Sequence, residues 1–279
     1  MTAKIDLHLH TNASDGTMSP EELVRAAWGA GLTTIAVTDH DTVSAVAAAR
    51  GLGERLGMTV IAGVEISVDY HGTELHILGY GLDTENGELL DTLIWNRSQR
   101  HERNLRIAER MRADGIDVSV EALEVRFPGA TIGRLHFAKI LLEQGRVASI
   151  RDAFRLWLNP GCPYYLPRLK LTLAQAAQTI RSCGGTAVLA HPMQYRFAGE
   201  ALEQLLADCV EAGIAGVEVF YTGYDDATRA MLAELAAGAG CFVTGGSDFH
   251  GDNKPDVKLG VLEMPGGIVP LERLAGGMR

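Results

Sequence analysis

Two histidines near the start of the chain are spaced so that one metal ion could bind both. In the segment KIDLHLH, residues 4–10, apolar and polar residues alternate strictly. A β-strand sends alternate side chains to opposite faces. The three apolar side chains would therefore share one face, and Asp6, His8 and His10 would share the other. Two imidazoles one strand repeat apart can bind a single divalent cation.

Further residues of the metal-ligand type follow apolar segments later in the chain. Six of the nine histidines and three carboxylates lie in predicted strands or just after them. Each could have an ordinary structural role, as a helix cap, a buried acid or a turn residue. Together they favour a metal cluster, because unpaired buried charge is costly. The candidate ligands are His8, His10, Asp15, His40, Glu65, His76, His191, Asp248 and His250.

Nine ligands are more than one ion can use, so the sequence predicts two to three divalent metal ions. Mixed imidazole and carboxylate ligands favour manganese, with iron or zinc as alternatives, whereas magnesium would be expected to require more oxygen ligands. Three doubly charged cations against three carboxylates leave a charge of roughly +3. Such a centre favours an anionic substrate.

Short apolar segments that alternate with helical patterns must position these ligands. Seven strands are predicted to begin near residues 5, 33, 60, 75, 186, 216 and 241. Helices are predicted at 20–30, 43–56, 173–183, 199–212 and 225–239, the first behind a capping box formed by Ser19 and Glu22. This alternation indicates βαβ units and a parallel sheet, in an α/β barrel with one strand fewer than the usual eight. An open doubly wound sheet is the alternative, although no glycine-rich dinucleotide motif follows the first strand. In parallel barrels, active sites form at the C-terminal ends of the strands, where the candidate ligands are predicted to lie.

The stretch 97–170 differs from the rest and is predicted to be an inserted helical subdomain. Its patterns indicate helices at 98–113, at 119–125 behind a serine cap, at 131–144 behind a threonine cap, and at 149–158. It carries 14 lysines and arginines against 8 acidic residues, a net charge of +6, whereas the remainder has a net charge of −16. Residues 1–96 and 171–279 would then form the barrel, and 97–170 a basic substrate-binding subdomain.

Composition excludes several classes of protein. With 279 residues, 47% of them hydrophobic, the chain can bury a large core. The net charge of −10 argues against a general nucleic-acid-coating protein. Four widely spaced cysteines indicate neither a disulfide framework nor a cysteine zinc site. We expect a soluble, unexported protein of the cytoplasm with reduced thiols, no membrane segment and no stable protein partner.

The candidate ligands and the residues between them resemble the PHP (polymerase and histidinol phosphatase) family. The motifs are His8-x-His10-Thr11-x-x-Ser14-Asp15-Gly16, Thr38-Asp39-His40-Asp41, Glu65, His76, His191-Pro192 and Ser247-Asp248-x-His250. The match spans the chain apart from the helical insert. It implies a distorted (β/α)7 barrel of the PHP type with a trinuclear metal centre. It further implies three ligand sets that share Glu65: His8, His10, Glu65 and Asp248; Asp15, His40 and His250; and Glu65, His76 and His191.

The cluster suggests a mechanism in which a metal-bridging hydroxide attacks phosphorus. No general acid is obvious, and His136 is the candidate. The basic insert would bind substrate: Arg134 and His136, near a helix N-terminus, are placed to bind a second phosphate. Aromatic residues of the insert could stack on a base or belong to its core. The predicted substrate-binding residues are Arg134, His136, Lys139, Tyr164 and Arg168.

The stretch T-x-G-R-x-H-F-A, residues 131–138, is similar to the free-standing PHP branch that acts on nucleotides, including 3',5'-bisphosphate nucleotides and the 5' ends of short RNA. This resemblance implies a free-standing enzyme and a small phosphorylated nucleotide, or a short RNA, as its partner. We expect a phosphatase that removes the 3'-phosphate of nucleoside 3',5'-bisphosphates. The alternatives are a 5'-to-3' exonuclease on short RNA, a histidinol-phosphate phosphatase, and a non-catalytic metal-binding interaction module.

Overall fold

The strands form one sheet that curls into a nearly closed barrel. The computed structural model describes residues 4–260, 262, 264–265 and 269–275. Within them, seven strands lie in chain order. They are β1 (Ile5–Leu9), β2 (Thr34–Val37), β3 (Thr59–Tyr70), β4 (Thr73–Tyr80), β5 (Thr186–Leu189), β6 (Gly216–Tyr221) and β7 (Phe242–Gly246). The backbone N–H of Asp248, just after β7, donates to the carbonyl of His8 at 2.9 Å and brings the two edges together. The predicted seven-stranded α/β barrel is confirmed.

One strand runs against the others, and the prediction of an all-parallel sheet is wrong on this point. β4 pairs antiparallel with both β3 and β5. The two-residue connection between β3 and β4 is His71-Gly72, with φ values of 50° and 83°. Two successive positive φ values are typical of the tight turn that joins hairpin strands. The hairpin turn therefore reverses β4, and the N-terminal half of β4 lies at the same barrel end as the C-terminal ends of its neighbours.

Helices cover the outside of the barrel. They are α1 (Pro20–Gly29), α2 (Val46–Leu56), α7 (Leu173–Ser182), α8 (Glu200–Ala212) and α9 (Asp226–Gly238), with the short α10 (Leu271–Leu274) near the end of the described chain. The predicted capping box is confirmed: the Ser19 side chain accepts the backbone N–H of Glu22, and the Glu22 side chain accepts that of Ser19. Leu23 and Val24 of α1 pack with Leu9 and Ile35 of the strands. Burial of this kind fixes the strand ends that carry the candidate ligands.

The helical segment between β4 and β5 has its own hydrophobic core. It contains α3 (Gly87–Ala113), α4 (Val120–Arg126), α5 (Arg134–Glu143) and α6 (Ile150–Ala153), which continues as a π-helical turn over Phe154–Leu158. The serine cap predicted at Ser119 is confirmed, and Ser149 caps α6 in the same way. The threonine cap is wrong, because α5 begins behind Gly133.

The long helix α3 belongs to both parts of the molecule. It begins at Gly87, behind Asn86, and not at residue 98 as predicted. Its Leu89 and Leu93 pack in the barrel core, whereas Ile107 and Met111 pack in the core of the helical segment. The predicted boundary at residue 97 falls inside this helix, so the division into two units stays a prediction. None of the helices in the described residues is both long and apolar enough to cross a membrane.

Candidate metal centre and adjoining cavity

The nine predicted ligands meet at one end of the barrel. His8 and His10 lie at the end of β1, His40 follows β2, and Glu65 lies in the middle of β3. The remaining ligands come from loops or strands at the same end: Asp15, His76, His191, Asp248 and His250. His76 lies in the N-terminal half of β4 and not near a C-terminal strand end. It reaches the cluster because β4 is antiparallel.

Glu65 is the central carboxylate of the cluster. Its Oε1 lies 2.8 Å from His76 Nδ1 and 3.0 Å from His191 Nε2. Its Oε2 lies 3.0 Å from His40 Nδ1 and 3.2 Å from His10 Nε2. His8 Nε2 also lies 3.4 Å from Oε2. Because the two oxygens face different imidazoles, this carboxylate is placed to join neighbouring cation positions.

Two other carboxylates complete the groups around Glu65. Asp248 Oδ1 lies 3.6 Å from His8 Nε2 and 3.4 Å from His10 Nε2. Asp15 Oδ1 lies 3.2 Å from His250 Nε2, and Asp15 Oδ2 lies 3.8 Å from His40 Nε2. These distances bring the members of each of the three implied ligand sets together. The assignment of ions to the sets stays a prediction.

Several ligand atoms are buried without a hydrogen-bond partner. They are Nε2 of His8, Nε2 of His10, Oδ1 of Asp15, Nδ1 of His40 and Oε2 of Glu65. Buried polar atoms without partners are rare because they lose their bonds to water and gain nothing in return. Here they face one another, and groups of them lie within 4.8 Å. This arrangement fits divalent cations.

Charge pairing shifts the pKa values of these groups. Burial opposes the protonated form of His10, but Asp248 and Glu65 outweigh burial and raise its pKa to about 9. Burial likewise opposes protonation of His76, and Glu65 raises its pKa to about 9. Burial lowers the pKa of His40 to about 3. Protons on imidazoles therefore balance the carboxylates without a cation, and cation binding would release them.

Neighbouring groups hold the ligands in fixed tautomers. Glu218 Oε1 lies 3.0 Å from His8 Nδ1, which leaves Nε2 free to face Glu65 and Asp248. His250 Nδ1 donates to the Asp248 carbonyl at 2.8 Å, so that its Nε2 faces Asp15. Fixing the nitrogen that does not bind metal is the usual way in which proteins orient metal-binding histidines. His191 and Asp248 also adopt positive φ values, 27° and 56°, which strained residues at functional sites often do.

A cavity of about 1010 Å³ opens onto this cluster. Candidate ligands, including His40, Glu65 and His76, line this cavity, and Arg134 and Arg100 line it as well. The cavity therefore joins the candidate metal centre to the basic helical segment.

Sequence comparison identifies the family to which these residues belong. Residues 6–159, more than half of the chain, match the PHP domain. The chain belongs to the PHP domain family. This finding confirms the resemblance seen in the ligand motifs, and the PHP fold brings His/Asp/Glu groups together that are able to bind metal ions.

Curated relatives cover almost the whole chain. The 5'-3' exoribonuclease Rnm of Escherichia coli is 36% identical over 266 residues, which are 94% of this chain and 90% of that protein. The 3',5'-nucleoside bisphosphate phosphatase of Chromobacterium violaceum is 34% identical over 262 residues, 94% of this chain and 92% of that one. Among solved structures, a protein assigned as a metal-dependent phosphoesterase from Bifidobacterium adolescentis superposes with a TM-score of 0.87 at 30% identity, covering 99% of this chain and 96% of that one.

Of the five residues predicted to bind substrate, only Arg134 lines the cavity. Tyr164 stacks on Trp157 with ring centres 5.4 Å apart and donates to Asp114 at 2.7 Å, inside the core of the helical segment, which is the alternative that the sequence left open. Lys139 lies over the ring of Phe127 at 5.1 Å.

The remaining two predicted contacts are buried behind the cavity wall. Arg168 is only 8% exposed. His136 accepts the backbone N–H of Gly133 at 3.0 Å and packs edge-on against Phe127. Burial lowers the pKa of His136 to about 4. It is therefore neutral near pH 7 and does not line the cavity, and its role as a general acid stays a prediction.

Several residues around the candidate metal centre were not predicted from the sequence. Glu218 contacts the imidazole of His8 and accepts the backbone N–H of His191. Tyr221 donates to Asp248 Oδ2 at 2.8 Å. Lys254 Nζ also lies against this oxygen, and Arg100 and Glu74 line the cavity. Of these, Glu218 had a detectable signal, because it is an acidic residue inside the apolar strand β6.

Proposed function

We propose that this protein is a metal-dependent phosphomonoesterase that hydrolyses the 3'-phosphate of nucleoside 3',5'-bisphosphates. The observation that carries the proposal is the shared cavity, which is lined both by members of the His/Asp/Glu cluster and by Arg100 and Arg134. Such a cavity offers one place for the reacting phosphate and another for a second anionic group. The name of the Chromobacterium violaceum relative, a 3',5'-nucleoside bisphosphate phosphatase, supports this substrate class.

In this proposal, the residues of the cluster hold two to three divalent ions, with manganese as the favoured metal. Bound divalent ions would neutralise phosphoryl oxygens and lower the pKa of bound water to near neutrality. Glu65, facing histidines of all three sets, would keep the cations close together. Glu218 and the Asp248 carbonyl would hold His8 and His250 in the tautomers that leave Nε2 free.

Hydrolysis of adenosine 3',5'-bisphosphate tests the proposal. We expect the manganese-loaded protein to release inorganic phosphate and adenosine 5'-phosphate, which chromatography separates from adenosine 3'-phosphate. Histidinol phosphate, which carries a cationic amine beside one phosphate, should be a poor substrate in the same assay. Failure to release phosphate from the bisphosphate, with metal bound in stoichiometric amounts, would refute the proposal.

A second candidate function is 5'-to-3' exonuclease activity on short RNA. The cavity volume favours it, because about 1010 Å³ is at the upper end of the roughly 300–1,000 Å³ of small-molecule sites. The Escherichia coli relative named as an exoribonuclease supports it. Comparing kcat/KM for the bisphosphate and for a 5'-phosphorylated trinucleotide separates the two. Faster consumption of the RNA would make the exonuclease the main activity.

We also propose a cytoplasmic location. All four cysteines lie in the described part of the chain and are free thiols, and three of them are buried, which suits a reducing compartment. A small phosphorylated nucleotide or a short RNA would be the partner, with no stable protein partner required. Fractionation of cells that produce the protein would test the location.

A further inference from the structure

The helical segment contacts two barrel loops that carry candidate metal ligands. One loop follows β1 and carries Asp15, and the other follows β2 and carries His40. Together with His250, these residues place ligand atoms within 4.8 Å of one another, and all three line the cavity. We call Asp15, His40 and His250 the outer group.

Asp41, the residue directly after His40, is tied to strand β3. Its backbone N–H donates to the carbonyl of Glu65 at 3.0 Å, and His40 pairs with Glu65 in a parallel bridge. The N–H of Ser67 donates to Asp41 Oδ1 at 3.3 Å. Asp41 has a φ of 51°, in the left-handed region that few residues other than glycine adopt. The conformation of Asp41 therefore fixes the position of His40 relative to Glu65.

The buried side chain of Asp41 binds helix α3. Its Oδ1 accepts the amide of Asn96 at 2.8 Å, and its Oδ2 accepts Arg100 Nε at 2.6 Å. Arg97 Nη1 donates to the backbone carbonyl of Asp41 at 2.8 Å. Breaking a buried, hydrogen-bonded ion pair is strongly unfavourable. One short stretch of α3 thus holds the residue that follows a candidate ligand.

A second contact holds the loop that carries Asp15. The backbone N–H of Thr131 donates to the carbonyl of Ala13 at 2.8 Å. The residue after Thr131 is fixed to α3 in turn, because Nδ2 of the buried Asn104 donates to the carbonyl of Ile132 at 2.9 Å. Helix α3 therefore reaches this loop as well, through the turn that precedes α5.

We propose that the helical segment positions the outer group, with Asp41 as the main positioning residue, and thereby sets the affinity for one of the divalent cations. His8 and Glu65 lie inside strands, where neighbouring strands hold them. Asp15 and His40 lie in loops, which are more mobile than the elements they connect. Because the outer group belongs to the proposed metal centre, this role rests on the proposed function and deepens it: the helical segment would complete a cation site.

Calorimetric titration of the metal-free protein with Mn²⁺ tests the role of Asp41 without catalysis. Asparagine has the shape of aspartate and tolerates a positive φ, but Asp41→Asn loses the charge and one acceptor. We expect one Mn²⁺ to bind about tenfold or more weakly, and the others to stay within about threefold of the wild type. Asp114→Asn is the matched control. It changes a carboxylate that binds Tyr164 in the core of the helical segment, and it should bind Mn²⁺ like the wild type.

Two further variants keep Asp41 and guard against a chain that fails to fold. Asn96→Ala removes one donor to the Asp41 carboxylate, and Asn104→Ala releases the turn that holds the loop of Asp15. Each should weaken the same Mn²⁺ as Asp41→Asn does, to a smaller extent. Circular dichroism should show that both variants keep the wild-type fold.

Kinetics with adenosine 3',5'-bisphosphate separate positioning of a cation from a structural role. At a Mn²⁺ concentration that just saturates the wild type, kcat of Asp41→Asn should fall about tenfold or more while KM stays within about twofold. A large excess of Mn²⁺ should restore much of kcat, because mass action refills a weakened site. A packing defect alone would leave kcat low at every Mn²⁺ concentration and would overturn the proposal.

The titrations also separate this proposal from the proposed function. Unchanged Mn²⁺ binding in Asp41→Asn would overturn the positioning role, and so would an equal loss of every cation or the same loss in Asp114→Asn. If the wild type hydrolyses the bisphosphate while Asp41→Asn binds Mn²⁺ normally, the proposed function stands and the positioning role fails. If Asp41→Asn loses one Mn²⁺ but the wild type hydrolyses no phosphate ester, the proposed function fails and the positioning role stands.

Discussion

The buried carboxylate of Glu218 contacts His8 through one oxygen and the backbone of His191 through the other. Oε1 lies 3.0 Å from His8 Nδ1, and Oε2 accepts the His191 N–H at 2.7 Å. Glu218 is fully buried on β6. One side chain thus orients candidate ligands that are 183 residues apart in the chain, and its negative charge makes the His8 imidazole a stronger donor to a cation.

Replacing this carboxylate should therefore weaken metal binding without removing a ligand. In Glu218→Gln, the side-chain shape is kept, but the negative charge and one acceptor are lost. We expect the affinity for Mn²⁺ to fall about 10- to 100-fold, measured by calorimetric titration of the metal-free protein. Glu203→Gln, at an exposed position on α8, is the control. Unchanged affinity in Glu218→Gln would contradict the orienting role.

Removal of metal should destabilise the protein. The buried carboxylates and imidazoles face one another, and a ligand that binds only the folded state stabilises it by about 2.7 kcal/mol at 100 times its dissociation constant. We expect chelation to lower Tm and abolish hydrolysis, and Mn²⁺ to restore both. Mg²⁺ should restore less, because imidazole-rich sites suit it poorly. A Tm that does not respond to any divalent cation would argue against the centre.

Asp248 should be essential for activity. Its Oδ1 faces His8 and His10, while its Oδ2 accepts the hydroxyl of Tyr221. Asp248→Asn has nearly the same shape but lacks the charge, so we expect kcat/KM to fall by more than about 100-fold, beyond the usual effect of a residue that only supports a ligand. Circular dichroism should show an unchanged fold. Asp226→Asn, at a fully exposed position on α9, should keep full activity.

Local signals in the sequence predicted the elements well, and the structure brings the candidate ligands together at one end of the barrel. The alternation over residues 4–10 and the capping box at Ser19 and Glu22 depend on neighbours within a few residues, and both appear in the structure. The antiparallel direction of β4 was not predicted. It depends on the positive φ values of His71 and Gly72, which the residue types alone do not specify.

Contacts between distant residues could not be predicted in the same way. Arg100 meets Asp41, which is 59 residues away in the chain, and no periodicity links the two. The sequence left two roles open for Tyr164. An aromatic residue in a basic segment fits base stacking and core packing equally well, and only the position of Asp114 beside its hydroxyl decides for the core.

Gly246, at the end of β7, allows the barrel to close against β1. A Cβ atom built at this position would lie 2.3 Å from the Cβ of His8 and 2.5 Å from its backbone nitrogen. Gly246→Ala should therefore displace His8, lower the free energy of unfolding by about 1–3 kcal/mol and weaken metal binding. Gly51→Ala on α2, where no atom lies within 4 Å of the added Cβ, should stabilise the protein by about 0.5–1 kcal/mol. Urea denaturation of both variants checks the contrast, and equal stabilities would contradict it.

His136 should make the stability of the metal-free protein depend on pH. Burial lowers its pKa from 6.5 to about 4 in the folded state. Between these values the unfolded chain binds more protons than the folded one, so the free energy of unfolding decreases as the pH falls through this window. From pH 7 to pH 5 the contribution is about 2 kcal/mol.

His136→Gln should remove this part of the pH dependence. Glutamine does not titrate and can accept the Gly133 N–H in the same capping position. Urea denaturation at pH 7 and pH 5 should therefore show a smaller loss of stability in His136→Gln than in the wild type. The exposed variant His101→Gln should keep the wild-type loss. Since the other buried histidines titrate alike in wild type and variant, the difference between the two isolates His136, and an identical loss in both would mean that its imidazole is not held neutral.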